Sequence, residues 1–275
     1  MELGEIRFSH GNRHMCHDLG LDEKSKTDLL YSLFNQLFDV VHCRTEAQRA
    51  EAHRLRYQVF CLENEGYEDP NAFPDQKEQD PYDSRAAQAM LIYKPRQTVF
   101  GGVRMILPNP GDYSQSFPVQ QVCPHPQMLD KDSARKRFEF SRFCISKTVR
   151  NLIRDDIPDL LETLDFETDY PFLDEDEQML KLAISMAPFG LVRAGFEVGL
   201  ENGLPEYCGA MDRFNVRRLG ATGIEFHRTG PDIEHHGVRT PFFGTILGSL
   251  ENAFAQHHAV WKVISVDGKN HRAAM

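Results

Sequence analysis

The stretch FEFSRFCIS, residues 138–146, constrains the fold more than any other part of the chain. Three phenylalanines, a cysteine and an isoleucine in nine positions describe a buried strand. The same stretch carries a carboxylate, Glu139, and a guanidinium, Arg142. Burying either without a partner is costly. Side chains alternate along a strand with period two. Glu139, Ser141 and Phe143 are therefore expected on one face, and Phe138, Phe140, Arg142 and Cys144 on the other. In a regular strand Glu139 and Arg142 cannot neutralise each other. Each needs another partner, or the strand is bulged or splayed there.

A second strand repeats the pattern. In TVFGGVRMIL (98–107), Val99, Val103, Met105 and Leu107 form an apolar face, and Arg104 lies on the other beside Gly102. Either the arginines close salt bridges to Asp80, Asp83 or Glu139, or the charged groups line a cleft. A buried carboxylate with a raised pKa is suited to act as a base near neutrality.

The rest of the chain supplies a mixed frame. Residues 27–43 begin with helical periodicity and end strand-like, and the amphipathic face of YSLFNQLFDV packs on a sheet or touches lipid as a peripheral contact. Thr45 and Gln48 read as a capping box opening a helix to about Leu62. An acidic loop runs to Asp83, and residues 87–94 and 98–107 form an antiparallel pair. Residues 108–136 form a Pro-containing excursion, 147–161 a helix, and about 177–202 a longer helix ending at Asn202-Gly203. PEYCGAM and TGIEFHRTG read as strands, DRFNVRRLG as a helix, and Pro241 as the start of a final helix. The expectation is one α/β domain over 1–275, with about 1–36 as an N-terminal helical extension. Its sheet is mixed and mainly antiparallel, flanked by helices.

Composition narrows the function. The six cysteines are scattered without a C-x-x-C pair, which disfavours a disulfide framework or zinc. Cys144 reads as a core residue. A net charge of −10 argues against a nucleic-acid surface. No apolar run is read as reaching the ~18 residues of a membrane helix. The first residues lack signal-peptide order, so a cytoplasmic location is the expectation. In EHHGVR (234–239) the adjacent histidines face opposite ways, which disfavours metal, and His236 is expected to contact a substrate or cap the last helix. Arg135, Lys136, Arg137, Lys147, Arg150 and Arg154 flank the key strand as a solvated rim or as a dock for an acidic partner.

The segments RYQVFCLENEG, EQDPYD, GGVRMILP and FEFSRFCIS, in that order, resemble the acyl-homoserine-lactone synthases. They are more similar still to the N-acyl amino acid synthases and the exosortase-associated acyltransferases. The resemblance covers about residues 37–146 and extends loosely through GPDIEHHGVRTPF. It implies a GNAT-like (N-acyltransferase) sheet with a central splay into which an acyl-phosphopantetheine arm inserts. It implies Glu139 as the base, with Arg104, Ser141 and Arg142 around the reaction. It implies Arg56, Phe60, Asp80, Asp83, Phe143 and His236 on the substrate side. The donor is then acyl carrier protein or acyl-CoA, with no further cofactor, and the acceptor a small amine such as an amino acid. The usual GNAT phosphate loop is Gly-rich, and SKTVRN is not. The autoinducer synthases carry a tryptophan soon after the first helix, whereas the one tryptophan here is Trp261, which favours an amine other than S-adenosylmethionine. The alternatives are a non-catalytic acyl-carrier sensor or assembly partner of an exosortase-type system, and a true acyl-homoserine-lactone synthase.

Overall fold

The computed structural model describes residues 22–164 and 173–275. Most of the N-terminal extension, with Cys16, and part of the acidic loop before residue 177 lie outside the described residues. Helix α1 (Glu23–Leu37) is capped by Asp22, whose carboxylate accepts the Ser25 N–H, and leads directly into β1 (Phe38–His42). Thr45 and Gln48 form the expected reciprocal cap at the start of α2 (Glu46–Tyr57), which continues as a π-helical turn, Gln58–Glu63. β2 (Ala86–Tyr93) and β3 (Thr98–Ile106) are the expected antiparallel pair. The excursion holds three short helices, α3 (Pro118–Val122), α4 (Pro126–Leu129) and α5 (Lys131–Ala134). It delivers the chain to β4 (Arg137–Ile145). Helices α6 (Lys147–Asp155), α7 (Ile157–Thr163), α8 (Leu173–Ser185) and α9 (Ala187–Glu201) form the crossover to β5 (Glu206–Met211). Then come α10 (Arg213–Gly220), β6 (His227–Arg228), β7 (Ile233–Glu234), β8 (Val238–Thr245), α11 (Ile246–Gln256), α12 (His258–Ser265) and α13 (Lys269–Ala274).

The sheet order is β1-β2-β3-β4-β5-β8-β6, with β7 paired to β8, and every pair is antiparallel except β4–β5. One face carries α1, α8, α9 and α12 over the main core, and the other carries α2 and its π-helical turn. Leu29, Leu33, Phe34 and Leu37 of α1 are buried in that core, which decides for packing rather than lipid contact on this helix. The stretch Asp176–Glu201 does have the length and apolarity of a membrane helix, contrary to the sequence expectation. Two-thirds of its most apolar window (67%) is buried inside the protein, which marks it as the core helix.

Two irregularities set up the site. Opposite β4, Gly102 pairs with Cys144 and Arg104 with Ser141, so the single residue Val103 faces both Arg142 and Phe143. This is a β-bulge. Its extra residue is Arg142, held at φ +49°. A left-handed conformation at a non-glycine residue costs roughly 1–3 kcal/mol. The bulge breaks the expected alternation. Ser141, Arg142 and Cys144 now point toward α2, while Phe140 and Phe143 pack on the α9 side. A bulge in β3 opposite Leu91/Ile92 likewise moves Val99 to the α2 side, away from Val103 and Met105.

The second irregularity is a fork. β4 and β5 pair only at Arg137–Glu206, Phe138–Tyr207 and Glu139–Cys208. Beyond that point β4 stays with β3 to Ile145 and β5 stays with β8 to Met211. The expected splay therefore begins at Glu139.

Three sequence expectations are corrected. Pro241 lies inside β8, with its carbonyl accepting the Thr229 N–H, and the helix begins after Thr245, whose hydroxyl accepts the Gly248 N–H. The strand expected over TGIEFHRTG shrinks to His227–Arg228, because Glu225 turns back to accept from Thr245. The long helix near 177–202 breaks at Met186 into α8 and α9.

Phe140 reaches the α9 side through a notch. A Cβ on Gly195 would sit 2.1 Å from the Phe140 ring. Alanine in a helix interior normally gains about 1 kcal/mol over glycine. Overpacking typically costs about 1–3 kcal/mol. Because Phe140 is wedged edge-on against Phe138 and Tyr207, the clash should win. Gly195→Ala is expected to lower the unfolding free energy in urea by about 1–2 kcal/mol. A variant more stable than wild type would mean that Phe140 has room to move.

Candidate active site

Three arginines converge under α2. Arg56 donates to Glu78 through Nε and to both oxygens of Asp83 at 2.6 and 3.1 Å. Arg104, only 1% exposed, donates to both oxygens of Asp80 (2.7 and 3.0 Å), to Asp83 (3.0 Å) and to Ser141 Oγ (3.0 Å). Arg142 donates to Glu78 at 2.9 and 3.1 Å and to Glu68 at 3.2 Å. Three guanidiniums thus face four carboxylates. Gln88 completes the shell by donating to Asp83 at 3.1 Å. Asp80 and Asp83 also cap their own turn: Tyr82 N–H donates to Asp80, and Asp80 N–H to Asp83, both at 2.8 Å.

The arginines decide the protonation of these acids. Burial pushes Asp83 upward, but the nearby His53, the hydrogen bonds from Arg56 and the nearby cations outweigh it and hold the carboxyl far below the usual range. Asp80 is likewise pushed up by burial and pulled lower overall by Arg104 and Arg142. Glu78 follows the same balance through Arg56 and Arg142.

Glu139 stands apart. None of the three arginines pairs with it, and among the described residues it has no ion-pair partner. Its Oε2 accepts one hydrogen bond, from the Val119 N–H at 3.1 Å. Burial raises its pKa to about 7, against the weaker pull of that N–H and of Arg104 and Arg85. A carboxyl at the fork that changes charge near neutrality can accept a proton there.

Several other expected residues gather around this centre. Phe60 lies under the Arg142 guanidinium at 5.6 Å and stacks on Tyr67 at 4.8 Å. His236, at the tip between β7 and β8, stacks on the far side of Tyr67 at 4.9 Å. It caps no helix: Thr245 caps α11. Phe143 points to the opposite side of the fork. With Phe140, Tyr207, Met211, Phe226 and Phe242 it lines a closely packed apolar seam with a cavity of about 10 Å³. Cys144 packs with Leu55, Val59 and Phe60, and burial pushes its thiol up to about 12, so it is no nucleophile at neutral pH. Among the described residues no group of three or more His, Cys, Asp and Glu side chains is arranged to hold a metal.

The basic rim divides. Arg135 and Lys136 precede β4, at the closed end of the β4–β5 pair, where the Lys136 carbonyl accepts the Glu206 N–H. Arg137 is a correction: it is 3% exposed and committed to Glu206 (2.7 Å) and the Gln127 carbonyl (3.0 Å), so it offers nothing to a partner. Lys147 is held by Asn64 Oδ1 at 2.7 Å and the Glu63 carbonyl at 3.1 Å. Arg150 and Arg154 are exposed on α6, past the open end. Arg218 of α10 lies close enough to Arg150 for the two charges to oppose each other.

The sequence reading missed Glu78, Glu68, His53 and Gln88. Glu78 sits in a polar loop, and nothing local marks it as the 1%-exposed bridge between Arg56 and Arg142.

Comparison with known proteins bears on the fold. Residues 55–154 match the family model of an acetyltransferase (GNAT) domain. The fold is similar to that of TofI, solved in a ternary complex with an inhibitor and MTA, at 17% identity, 82% of this chain, 99% of that one and a TM-score of 0.52. It is similar to the AHL synthase LasI at 16% identity, 80% and 95% coverage and a TM-score of 0.50. It is also similar to BjaI, a CoA-dependent acyl-homoserine lactone synthase solved with SAM and isopentyl-CoA, at 16% identity, 82% and 89% coverage and a TM-score of 0.50. No curated protein matches the chain by sequence. The chain therefore has a GNAT-like fold.

Two stability measurements check the electrostatics. Asp83→Asn leaves Arg56 and Arg104 short of a buried counter-charge, and breaking such a pair costs about 3–5 kcal/mol. A loss under 1 kcal/mol would show that the network adds little. Glu139 works in the opposite sense. Its folded pKa, about 7, lies above the ordinary 4.5, so folding takes up a proton between those values. Its contribution is full below about pH 4.5, falls as pH rises and is lost above about 7. Relative to Glu139→Gln, wild type should lose about 3 kcal/mol across that window. Parallel stability–pH curves for the two proteins would refute the raised pKa.

Proposed function

We propose that this chain is an N-acyltransferase that moves a fatty acyl group from the thioester of acyl carrier protein, or of coenzyme A, to a small amine such as an amino acid. The observation that carries this reading is the fork at Glu139. On its α2 side lie a proton-accepting carboxyl and an ordered charge network. On its α9 side lies a closed apolar seam, with only about 10 Å³ open between its side chains, that an acyl chain would have to part. Where the strands part, unpaired backbone N–H and C=O groups are left to meet the amides of a pantetheine arm. The GNAT family match over residues 55–154 supports acyl transfer as the class of reaction.

The chemistry follows from these parts. An acceptor amine is protonated at neutral pH and is not nucleophilic. Glu139, directly or through one water, removes that proton. The amine nitrogen then attacks the thioester carbonyl carbon, the C–N bond forms, and the C–S bond breaks as the tetrahedral intermediate collapses. The proton held by Glu139 passes to the departing thiolate, and the carboxylate so regenerated takes the second proton from the attacking nitrogen and releases it to water, leaving a neutral amide and a free thiol. Ser141, tied to Arg104 at 3.0 Å, and Arg142 shape the strand that borders the reacting atoms. Phe60 and His236 flank Tyr67 on the acceptor side. Arg56, Asp80 and Asp83 hold that side rigid.

With S-adenosylmethionine as the amine, the same site would lead to acyl-homoserine lactones. The position of the one tryptophan, Trp261 in α12, weighs against that acceptor. A non-catalytic acyl-carrier sensor would have no use for a carboxyl poised near neutrality.

Glu139→Gln keeps shape and hydrogen-bonding reach but removes basicity, and general-base catalysis contributes about 10²–10⁴-fold. At pH 7 the variant, incubated with decanoyl donors and a panel of amines, should lose roughly that factor in kcat. The deficit should narrow at high pH, where free amine is abundant. Near-normal turnover by the folded variant would remove Glu139 from the role of base.

A further inference from the structure

The β6–β8 end of the sheet holds a cavity that the reaction above does not use. It measures about 260 Å³ and lies between α10, β6 and the middle of β8. Its floor is apolar: Val216 of α10, Phe226 and Phe242, with the two rings edge to face at 4.7 Å. Its rim is cationic. Arg213 and Arg217 stand one turn apart on α10, and Arg228 of β6 lines the same space. No acidic side chain lines it. The nearest counter-charge is Asp232, which pairs with Arg213 at 2.5 Å and Arg228 at 3.0 Å and accepts the Thr240 hydroxyl at 2.8 Å. Thr240 and the two arginines hold that carboxyl below its usual range, so it stays ionised and fixes both guanidiniums. Arg217 is different. It is exposed, and among the described residues its side chain has no ion pair and no hydrogen bond.

Three guanidiniums against one carboxylate, set over two phenylalanine rings, select a molecule of the reverse polarity: an anionic head on an apolar body. The guanidinium fork matches a carboxylate with two parallel hydrogen bonds. A bare phosphate would leave the floor uncovered. The volume sets the size of the body. At about 30 Å³ for each water-sized group the cavity holds roughly nine such groups, which is a carboxylate at the rim with a tail of about seven carbons. The floor also has a second side. Phe226 and Phe242 line the closed seam that runs to Phe140 and Phe143 at the fork. A ligand resting on these two rings therefore rests on the wall of the seam.

We infer that this cavity is a second binding site, for a medium-chain fatty carboxylate, and that its occupant braces Phe226 and Phe242 against the opening of the seam. Arg217 takes the carboxylate, with Arg213 and Arg228 already oriented beside it. The binding stands without the acyltransferase reading. The bracing rests on it.

Calorimetry of the full chain with octanoate, butyrate and octanol tests the site. Octanoate should bind wild type. Each methylene removed should weaken binding roughly 4-fold, so butyrate should bind about 100-fold more weakly or worse. Octanol, which lacks the charge, should bind about 10- to 100-fold more weakly than octanoate. Arg217→Ala should cost octanoate about 10-fold, and Arg217→Glu more. Val216→Trp fills the cavity and leaves every arginine in place, so it should abolish binding. The second readout is the donor KM with decanoyl donors. Octanoate should raise it in wild type and leave it unmoved in Arg217→Glu. No octanoate binding by wild type, or equal binding by Arg217→Glu and Val216→Trp, would overturn the site. Binding lost in both variants with a donor KM that octanoate never moves would overturn the bracing. A wild type that binds octanoate in this way but turns over no donor would refute the acyltransferase reading and leave the site standing.

Discussion

The structure turns on Arg142 being held in a conformation its side chain does not favour. At φ +49° the residue is an extra step in β4, and the step costs roughly 1–3 kcal/mol. What holds it there is the pair of charge-assisted hydrogen bonds to Glu78 and the one to Glu68. Because of that step, a strand that starts as ordinary core ends with polar side chains toward α2 and aromatic ones toward α9. The fork with β5 begins just upstream. A wedge between the strands and a change of side-chain parity therefore fall within four residues of each other, from Glu139 to Arg142. A regular strand would bury the charges or expose the phenylalanines.

Two kinds of carboxyl result from this arrangement. Asp80, Asp83 and Glu78 are surrounded by guanidiniums and stay ionised, so they act as fixed scaffolding. Glu139, a short distance along the same face, is kept out of that network and meets one backbone N–H instead. Burial then dominates and brings its pKa to about 7. Acids whose environments drive their pKa values apart are a general way of assigning separate roles to like groups. Here the arginines consume the neighbouring carboxylates while leaving Glu139 unpaired.

Much of the frame was legible because its causes are local. The Thr45–Gln48 cap, the turn between β2 and β3 and the Asn202-Gly203 helix end all follow from residues within a few positions of each other. The problem posed by Glu139 and Arg142 was legible too, since strand parity alone shows that they cannot pair. Its solution was not. A left-handed arginine is favoured only by partners 64 and 74 residues away in sequence. Arg137 looked like rim because its neighbours are basic, yet Glu206 draws it inward. Pro241 carries a helix-start signal that β8 overrides, because Thr245 supplies the cap.

The central claim is that the fork holds a carboxyl poised at neutrality. It is tested most directly by following the Glu139 side-chain carboxyl carbon by NMR in selectively labelled protein, with Glu139→Gln to assign the signal. The account predicts a titration midpoint near 7. A midpoint near the ordinary carboxylate value of about 4 would contradict it, because Glu139 would then be one more ionised member of the scaffold.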